Sequence, residues 1–262
     1  MTARIERIKA CLNGRRAPSA HPAVPVTPVQ LAEAASGAAA AGAEAIHLHP
    51  RGADGRESLW PADVGAAVAA VRAVCPGVPV GVTSGLWAAA DAAGGPTAAA
   101  RSRQQQVAAW AELDPAERPD FASLNLSEEG WQQLAATLAA ADIGVEAGVW
   151  SVADADRIAG YQPPGGWLRI MVEVSGVGAD DAVGYADQVL ARLATTAPGA
   201  RPLLHGEDAS CWPLVGHAGR LGLPTRVGLE DVLAGPDGQP VSGNADLVRL
   251  GLEFWAGAPL GQ

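Results

Sequence analysis

Short β-rich runs alternate with alanine-rich helical stretches almost without interruption along this 262-residue chain. That alternation narrows the fold to an α/β architecture built on a parallel sheet. The expected strands span residues 8–12, 45–49, 78–83, 120–126, 144–149, 168–174, 202–205 and 226–229. Helical patterns follow at 28–42, 61–75, 98–112, 129–141, 152–159, 179–195, 213–220 and 244–255. Thr27-Pro28 opens the first of these, with Thr27 as N-cap and Pro28 at the first helical position. Eight strand–helix repeats in about 250 residues is the number a (β/α)8 TIM barrel requires. A doubly wound open sheet carries fewer strands and a Gly-rich first turn, and no GxGxxG follows any strand here. No linker of distinct composition divides the chain, so residues 1–262 are expected to form a single catalytic TIM-barrel domain.

Charge and composition exclude several functions. Asp and Glu number 28 against 18 Lys and Arg, for a net charge of −10. Such a surface repels nucleic acid and anionic membranes, so neither is an expected partner. Hydrophobic residues make up 48% and charged residues 18%, enough for a large core. No apolar stretch reads as a spanning helix, and the first residues lack the apolar core and cleavage site of a signal peptide, which points to the cytoplasm. The three cysteines form no CxxC pair, arguing against a disulfide framework or a cysteine zinc site. Lys9 is the only lysine and opens the first strand, the wrong end of a barrel for Schiff-base chemistry. Phosphate-cradling GxxxxGK[ST] and nucleophile-presenting GxSxG motifs are both absent.

A barrel places its chemistry at the C-terminal ends of its strands. The second strand ends Ile46-His47-Leu48-His49, and alternate residues share a face, so both imidazoles project together. The eighth ends Arg226-Val227-Gly228-Leu229-Glu230-Asp231, and both strands neighbour the first. Glu230 can therefore join His47 and His49 around one divalent ion, a set with open coordination positions typical of catalytic metal sites. Thr83 and Ser84 end the third strand, and Ser123 and Asn125 share a face of the fourth; all four could meet a substrate carboxylate or serve turns and caps. Glu146 and Glu173 lie within strands and are expected to pair with a neighbouring arginine such as Arg169. His205 and Glu207 end the seventh strand without a clear role. His21 and His217 read as ordinary surface residues.

At these residues the sequence resembles the β-keto acid cleavage enzymes, which include the 3-keto-5-aminohexanoate cleavage enzymes. The likeness covers nearly the whole chain. It runs through Ala10-Cys11-Leu12-Asn13-Gly14, Pro25-Val26-Thr27-Pro28, residues 42–49 with Arg51 and Gly55-Arg56, Thr83-Ser84-Gly85 and Ser123-Leu124-Asn125. It closes with Arg226 through Asp231 and with Asn244-Ala245. The resemblance implies a zinc-dependent TIM barrel that takes a β-keto acid and acetyl-CoA to acetoacetate and a shortened acyl-CoA. It implies His47, His49 and Glu230 as metal ligands, Thr83 and Ser123 at the substrate carboxylate, and Asp231, oriented by Arg226, as general base. Barrel enzymes of this size are commonly homo-oligomers. Two positions depart from the aminohexanoate-cleaving members. Arg16 stands where they hold the substrate ammonium with an acid, and Gly148 stands where they carry a second glutamate on the fifth strand. Arg16 then predicts an anionic or neutral far end for the substrate, unless it turns to solvent or to Asp231.

Two rival readings stay in view. A metal-dependent hydrolase of the amidohydrolase type also begins from HxH, but on its first strand, and adds histidines from strands five and six, where this chain has none. A non-catalytic metal- or ligand-binding barrel is the other; an open metal set beside an Arg-Asp pair argues against it.

Overall fold

The computed structural model describes residues 5–89 and 94–257. Eight strands, β1 (Ile8–Cys11), β2 (Ile46–Leu48), β3 (Val80–Thr83), β4 (Phe121–Asn125), β5 (Gly144–Val149), β6 (Arg169–Val174), β7 (Leu203–Gly206) and β8 (Thr225–Val227), alternate with helices. These are α1 (Pro28–Ala40), α2 (Pro61–Val74), α3 (Pro96–Ala108), α4 (Trp131–Ala140), α5 (Val152–Ile158), α6 (Ala179–Thr196), α7 (Cys211–Leu221) and α8 (Asn244–Trp255). Neighbouring strands pair in parallel in the order β7-β6-β5-β4-β3-β2-β1-β8. The remaining seam joins β7 to β8: Leu204 N donates to the Pro224 carbonyl at 2.9 Å, and Thr225 Oγ1 donates to the Leu204 carbonyl at 2.8 Å. The result is a (β/α)8 TIM barrel. Among the described residues no helix is long and apolar enough to cross a membrane.

Local chemistry sets the element ends. Thr27 caps α1 in a reciprocal box with Gln30, and Pro28 occupies the first turn. Four strands, β1, β2, β4 and β8, stop one or two residues short of the sequence expectation, and two of these stops bear on the site. His49 lies one residue past β2, and β8 ends at Val227, because Asp231 and Val232 both donate to the Gly228 carbonyl and curl the chain. Glu230 and Asp231 thus sit on the loop after β8 and not on the strand itself. The third helix also ends early, continuing as a 3-10 turn over Ala109–Glu112.

Alternation along the strands divides each into a helix-facing and a barrel-facing set. Inside, the lower half of the barrel is filled by Ile5, Ala45, Phe121, Met171 and Leu203. Set among them, Lys9 Nζ lies 2.7 Å from Glu146 Oε2, and Arg169 pairs with the other oxygen of Glu146. Lys9 and Glu146 are fully buried, and burial pulls the Lys9 amine down to about 7. The pairing expected for Glu146 with Arg169 is present. Among the described residues these side chains fill the floor of the barrel, and the pocket lies above it.

Candidate metal centre and active-site pocket

The pocket at the C-terminal ends of the strands has a volume of about 310 Å³ and an open mouth. His47 and His49 reach it from β2, their ring centroids 5.2 Å apart and nearly perpendicular. Glu230 arrives from the loop after β8, and its place depends on Gly14 in the loop after β1. Gly14 has φ +50°, and a Cβ there would run into the Glu230 side chain. Asn13 ties the two strand ends together: Oδ1 accepts from His49 N at 2.9 Å, and Nδ2 donates to the carbonyls of His49 and Pro25.

Donor atoms of His47, His49 and Glu230 all lie within 4.8 Å of one another. His47 Nε2 is 3.8 Å from Glu230 Oε2, and His49 Nε2 is 3.7 Å from Glu230 Oε1, too long for hydrogen bonds. Bonds of about 2.0–2.2 Å to a shared divalent ion span such gaps with a small inward shift. Glu230 Oε2 is also buried without a hydrogen-bond partner. Burial holds His47 well below its usual value, hence neutral, the form that coordinates. Burial also lowers His49, but Glu230 and Glu57 outweigh it and raise the imidazole to about 9. Burial opposes ionisation of Glu230, yet Arg226 and the two histidines keep it well below the carboxylate range. The trio, two buried imidazoles and a partly buried carboxylate, is an electron-rich donor set that fits a divalent cation, which displaces the His49 proton on binding.

Behind it lies a charged cluster centred on Arg226. Its Nη2 donates to Asp231 Oδ1 at 2.7 Å and to Glu230 Oε1 at 2.8 Å, and its Nε donates to His205 Nδ1 at 3.1 Å. Because His205 Nδ1 accepts, its Nε2–H donates to Glu173 Oε2 at 3.1 Å, which assigns the neutral tautomer. Burial also keeps His205 well below its usual value. Asp231 is fully buried, with Oδ2 unpartnered; burial, only partly offset by Arg226, pushes its carboxyl up to about 8.

A family model described as beta-keto acid cleavage enzyme matches residues 7–255. The chain belongs to the β-keto acid cleavage enzyme family. No curated protein matches its sequence. Among solved structures, the binary complex of ObcA with oxaloacetate superposes with a TM-score of 0.70 at 19% identity, over 90% of this chain and 65% of that one. The ternary complex of ObcA with a C4-CoA adduct and oxalate gives 0.70 and 19%, over 90% and 64%. Phosphoribosyl anthranilate isomerase from Thermus thermophilus gives 0.50 and 17%, over 96% and 98%. Likeness at these identities shows the fold. The chain spans slightly less than two thirds of the length of ObcA.

In this β-keto acid cleavage family member, most of the residues singled out in the sequence converge. Thr83 and Ser123 are register partners on β3 and β4, and both line the pocket with Asn125, Arg226 and Arg16. Ser84 is buried off the pocket wall, its hydroxyl donating to the Ser123 carbonyl at 2.6 Å. Asp231 also lies behind the wall. Arg16 lies over the loop after β8: Nε donates to the Glu230 carbonyl at 3.2 Å, and Nη2 donates to that of Asp231 and pairs with Asp208.

Glu173 meets an arginine as expected, but that arginine is Arg226, 3.8 Å away; it faces the pocket, bonded to His205, because its strand turns that residue to the upper layer. Two expectations are corrected. His217, on α7, is buried, with Nε2 2.7 Å from Asp187 Oδ1. His21 is half-buried, its Nε2 3.0 Å from the Val241 carbonyl.

Sequence reasoning missed several groups. Glu57 is hydrogen-bonded to His49 Nδ1 and accepts from Trp87 Nε1 at 3.1 Å, so it orients the ligand from behind. It arrives there through a single antiparallel bridge, Arg51 to Glu57, which no periodicity announces. Trp87, Trp150 and Arg15 complete the pocket wall.

Proposed function

We propose that this chain is a metal-dependent β-keto acid cleavage enzyme, condensing a β-keto acid with acetyl-CoA to give acetoacetate and a shortened acyl-CoA. The observation that carries the reading is the convergence of His47, His49 and Glu230 beside Arg226–Asp231, at the mouth of a barrel in this family. The complexes of ObcA with oxaloacetate, itself a β-keto acid, and with a CoA adduct lend support.

A divalent ion, most simply zinc, held by His47, His49 and Glu230 would polarise the keto and carboxylate oxygens and acidify the C2–H between them. The hydroxyls of Thr83 and Ser123 and the amide of Asn125 offer donors for the carboxylate. Asp231 takes the C2 proton on Oδ2, the oxygen with no partner, while Arg226 holds Oδ1 and steadies the carboxylate. Arg226 stands between Asp231 and the cavity, so a small displacement of that guanidinium accompanies proton transfer. The C2 carbanion then forms a carbon–carbon bond to the acetyl carbonyl and displaces the CoA thiolate. That thiolate attacks the original keto carbon, the C2–C3 bond breaks with its electron pair staying on C2, and C2 takes back the proton held by Asp231 to leave as acetoacetate while the remainder departs as acyl-CoA.

The test is a coupled assay of the metal-loaded protein with acetyl-CoA and a panel of β-keto acids. Acetoacetate and a new acyl-CoA should appear together and only when both substrates are present. Absence of acetyl-CoA-dependent turnover across the panel would overturn the reading. A hydrolase of the amidohydrolase type lacks support, since HxH lies on β2 and neither β5 nor β6 carries a histidine.

A further inference from the structure

Glu128, in the loop after β4, lies outside the metal trio and the Arg226 cluster, yet its carboxylate joins three elements. It accepts from Asn125 Nδ2 at 3.0 Å and from Leu86 N at 3.1 Å, and it pairs with Arg103 on α3. Leu86 opens the 3-10 turn Leu86–Ala88 after β3, which carries Trp87 into the pocket wall. Arg103 is buried, and it also donates to the Ser84 carbonyl at 3.4 Å and to the Glu129 carbonyl. A guanidinium fork can hold a carboxylate and two carbonyls at once, so Arg103 fastens the chain after β3 and the chain after β4 with Glu128 between them.

Asn125 is the group that this pair holds against the cavity. It lines the pocket, its Oδ1 accepts from Trp150 Nε1 at 3.2 Å, and its Nδ2 faces Glu128. An indole N–H only donates and a carboxylate only accepts, so the two neighbours fix which end of the amide is nitrogen. Turning the amide over would set donor against donor at Trp150 and acceptor against acceptor at Glu128. One N–H of Nδ2 goes to Glu128; the second has no partner among the described residues and is available to a ligand oxygen.

We propose that the Arg103–Glu128 pair holds the Asn125 amide as a hydrogen-bond donor to an acyl or carboxylate oxygen of the bound keto acid. Neither Arg103 nor Glu128 lines the pocket, so both are positioning residues that act through Asn125. This rests on the reading of the pocket as a β-keto acid cleavage centre.

The test is a double-mutant cycle on Glu128→Gln and Asn125→Ala in the metal-loaded protein. Glutamine keeps the length of Glu128 but brings a donor: with its oxygen held by Arg103, its N–H faces Asn125 Nδ2 and turns that amide away. Glu128→Gln should lower kcat/KM for a β-keto acid by about 10- to 100-fold, as small misplacements in a site do. In the Asn125→Ala background the same substitution should change kcat/KM by less than about twofold, because the amide through which it acts is gone. Metal content should stay at the wild-type level throughout. Glu128→Asp, which keeps the charge beside Arg103 but falls one methylene short of Asn125, gives the same cycle if the glutamine variant does not fold. Calorimetric binding of malonate, an inert acid with the same 1,3-spaced oxygens, repeats the cycle without turnover. A merely structural pair would lower kcat/KM by the same factor in both backgrounds, and that result would overturn the proposal. So would wild-type kcat/KM in Glu128→Gln, or a loss of metal there, which traces the effect to the donor trio instead. If the wild type turns over no keto acid, the cleavage reading fails and the malonate cycle still decides. Equal weakening in both backgrounds, no weakening, or no malonate binding to the wild type would then overturn the role of Glu128.

Discussion

Glu230 carries a buried oxygen with no hydrogen-bond partner, while His49, across the site, is gripped from behind by Glu57. Those environments assign different consequences to neighbouring substitutions. His47→Ala removes one of three donors, and elemental analysis should find the purified variant stripped of metal; a fully loaded variant would refute the ligand set. Glu57→Gln leaves all three donors but loosens the His49 ring, so metal affinity should fall by about 10–100-fold in a chelator competition. Asp231→Asn should keep its metal while kcat falls by on the order of 10² to 10⁴. Activity close to wild type would exclude Asp231 as the base. The clustering of His47, His49 and Glu230 was legible because HxH on one strand and R-x-G-x-E-D on another carry their geometry in their spacing. Glu57 and Trp87 were not legible. Their contacts depend on where two loops cross, and no local pattern encodes a crossing.

Strand periodicity carried most of the architecture, since alternation settles which side chains face the barrel interior before any partner is known. It could not say which partner each would meet. Glu173 shows the limit. Its inward side followed from the strand, but its layer followed from the stagger between β6 and β7, where it pairs with His205 in register. The same stagger gives Gly148 its meaning. A Cβ at Gly148 would collide with Glu173 Oε1 and stand 2.6 Å from Asn125 Oδ1, so the missing side chain on β5 is the space the β6 carboxylate fills. Gly148→Ala should therefore leave the barrel folded but push Glu173 off His205. We expect kcat/KM to drop on the order of 10- to 100-fold, as small misplacements in a site do. Unfolding that coincides with the loss would point to a merely structural clash, and unchanged kinetics would show that the position of Glu173 does not matter.

At the scale of the whole barrel, the buried ions below the pocket are unevenly matched. Glu146 meets both Lys9 and Arg169, so removing the acid and removing one base are not equivalent. Glu146→Gln leaves two buried cations facing each other across a neutral amide and should cost about 3–5 kcal/mol, the usual range for breaking a buried pair. Lys9→Met leaves Glu146 with Arg169 and should cost clearly less. Denaturant unfolding of the two variants checks the order, and the reverse order would overturn this account of the floor. The sequence placed Lys9 at the correct end of the barrel, but the two-to-one sharing of Glu146 needed the register of β1, β5 and β6 together.

That plugged floor also governs traffic. With Phe121, Met171 and the Lys9–Glu146–Arg169 ions closing one end, both reactants and both products must use a single doorway. A small acid seated at the bottom of a blind well is trapped once a long thioester tail enters behind it. Steady-state kinetics should then be ordered, with the keto acid first in and the bulky acyl carrier first out. An inert CoA analogue should inhibit uncompetitively toward the keto acid; noncompetitive inhibition toward the keto acid would mean that the queue forms the other way round.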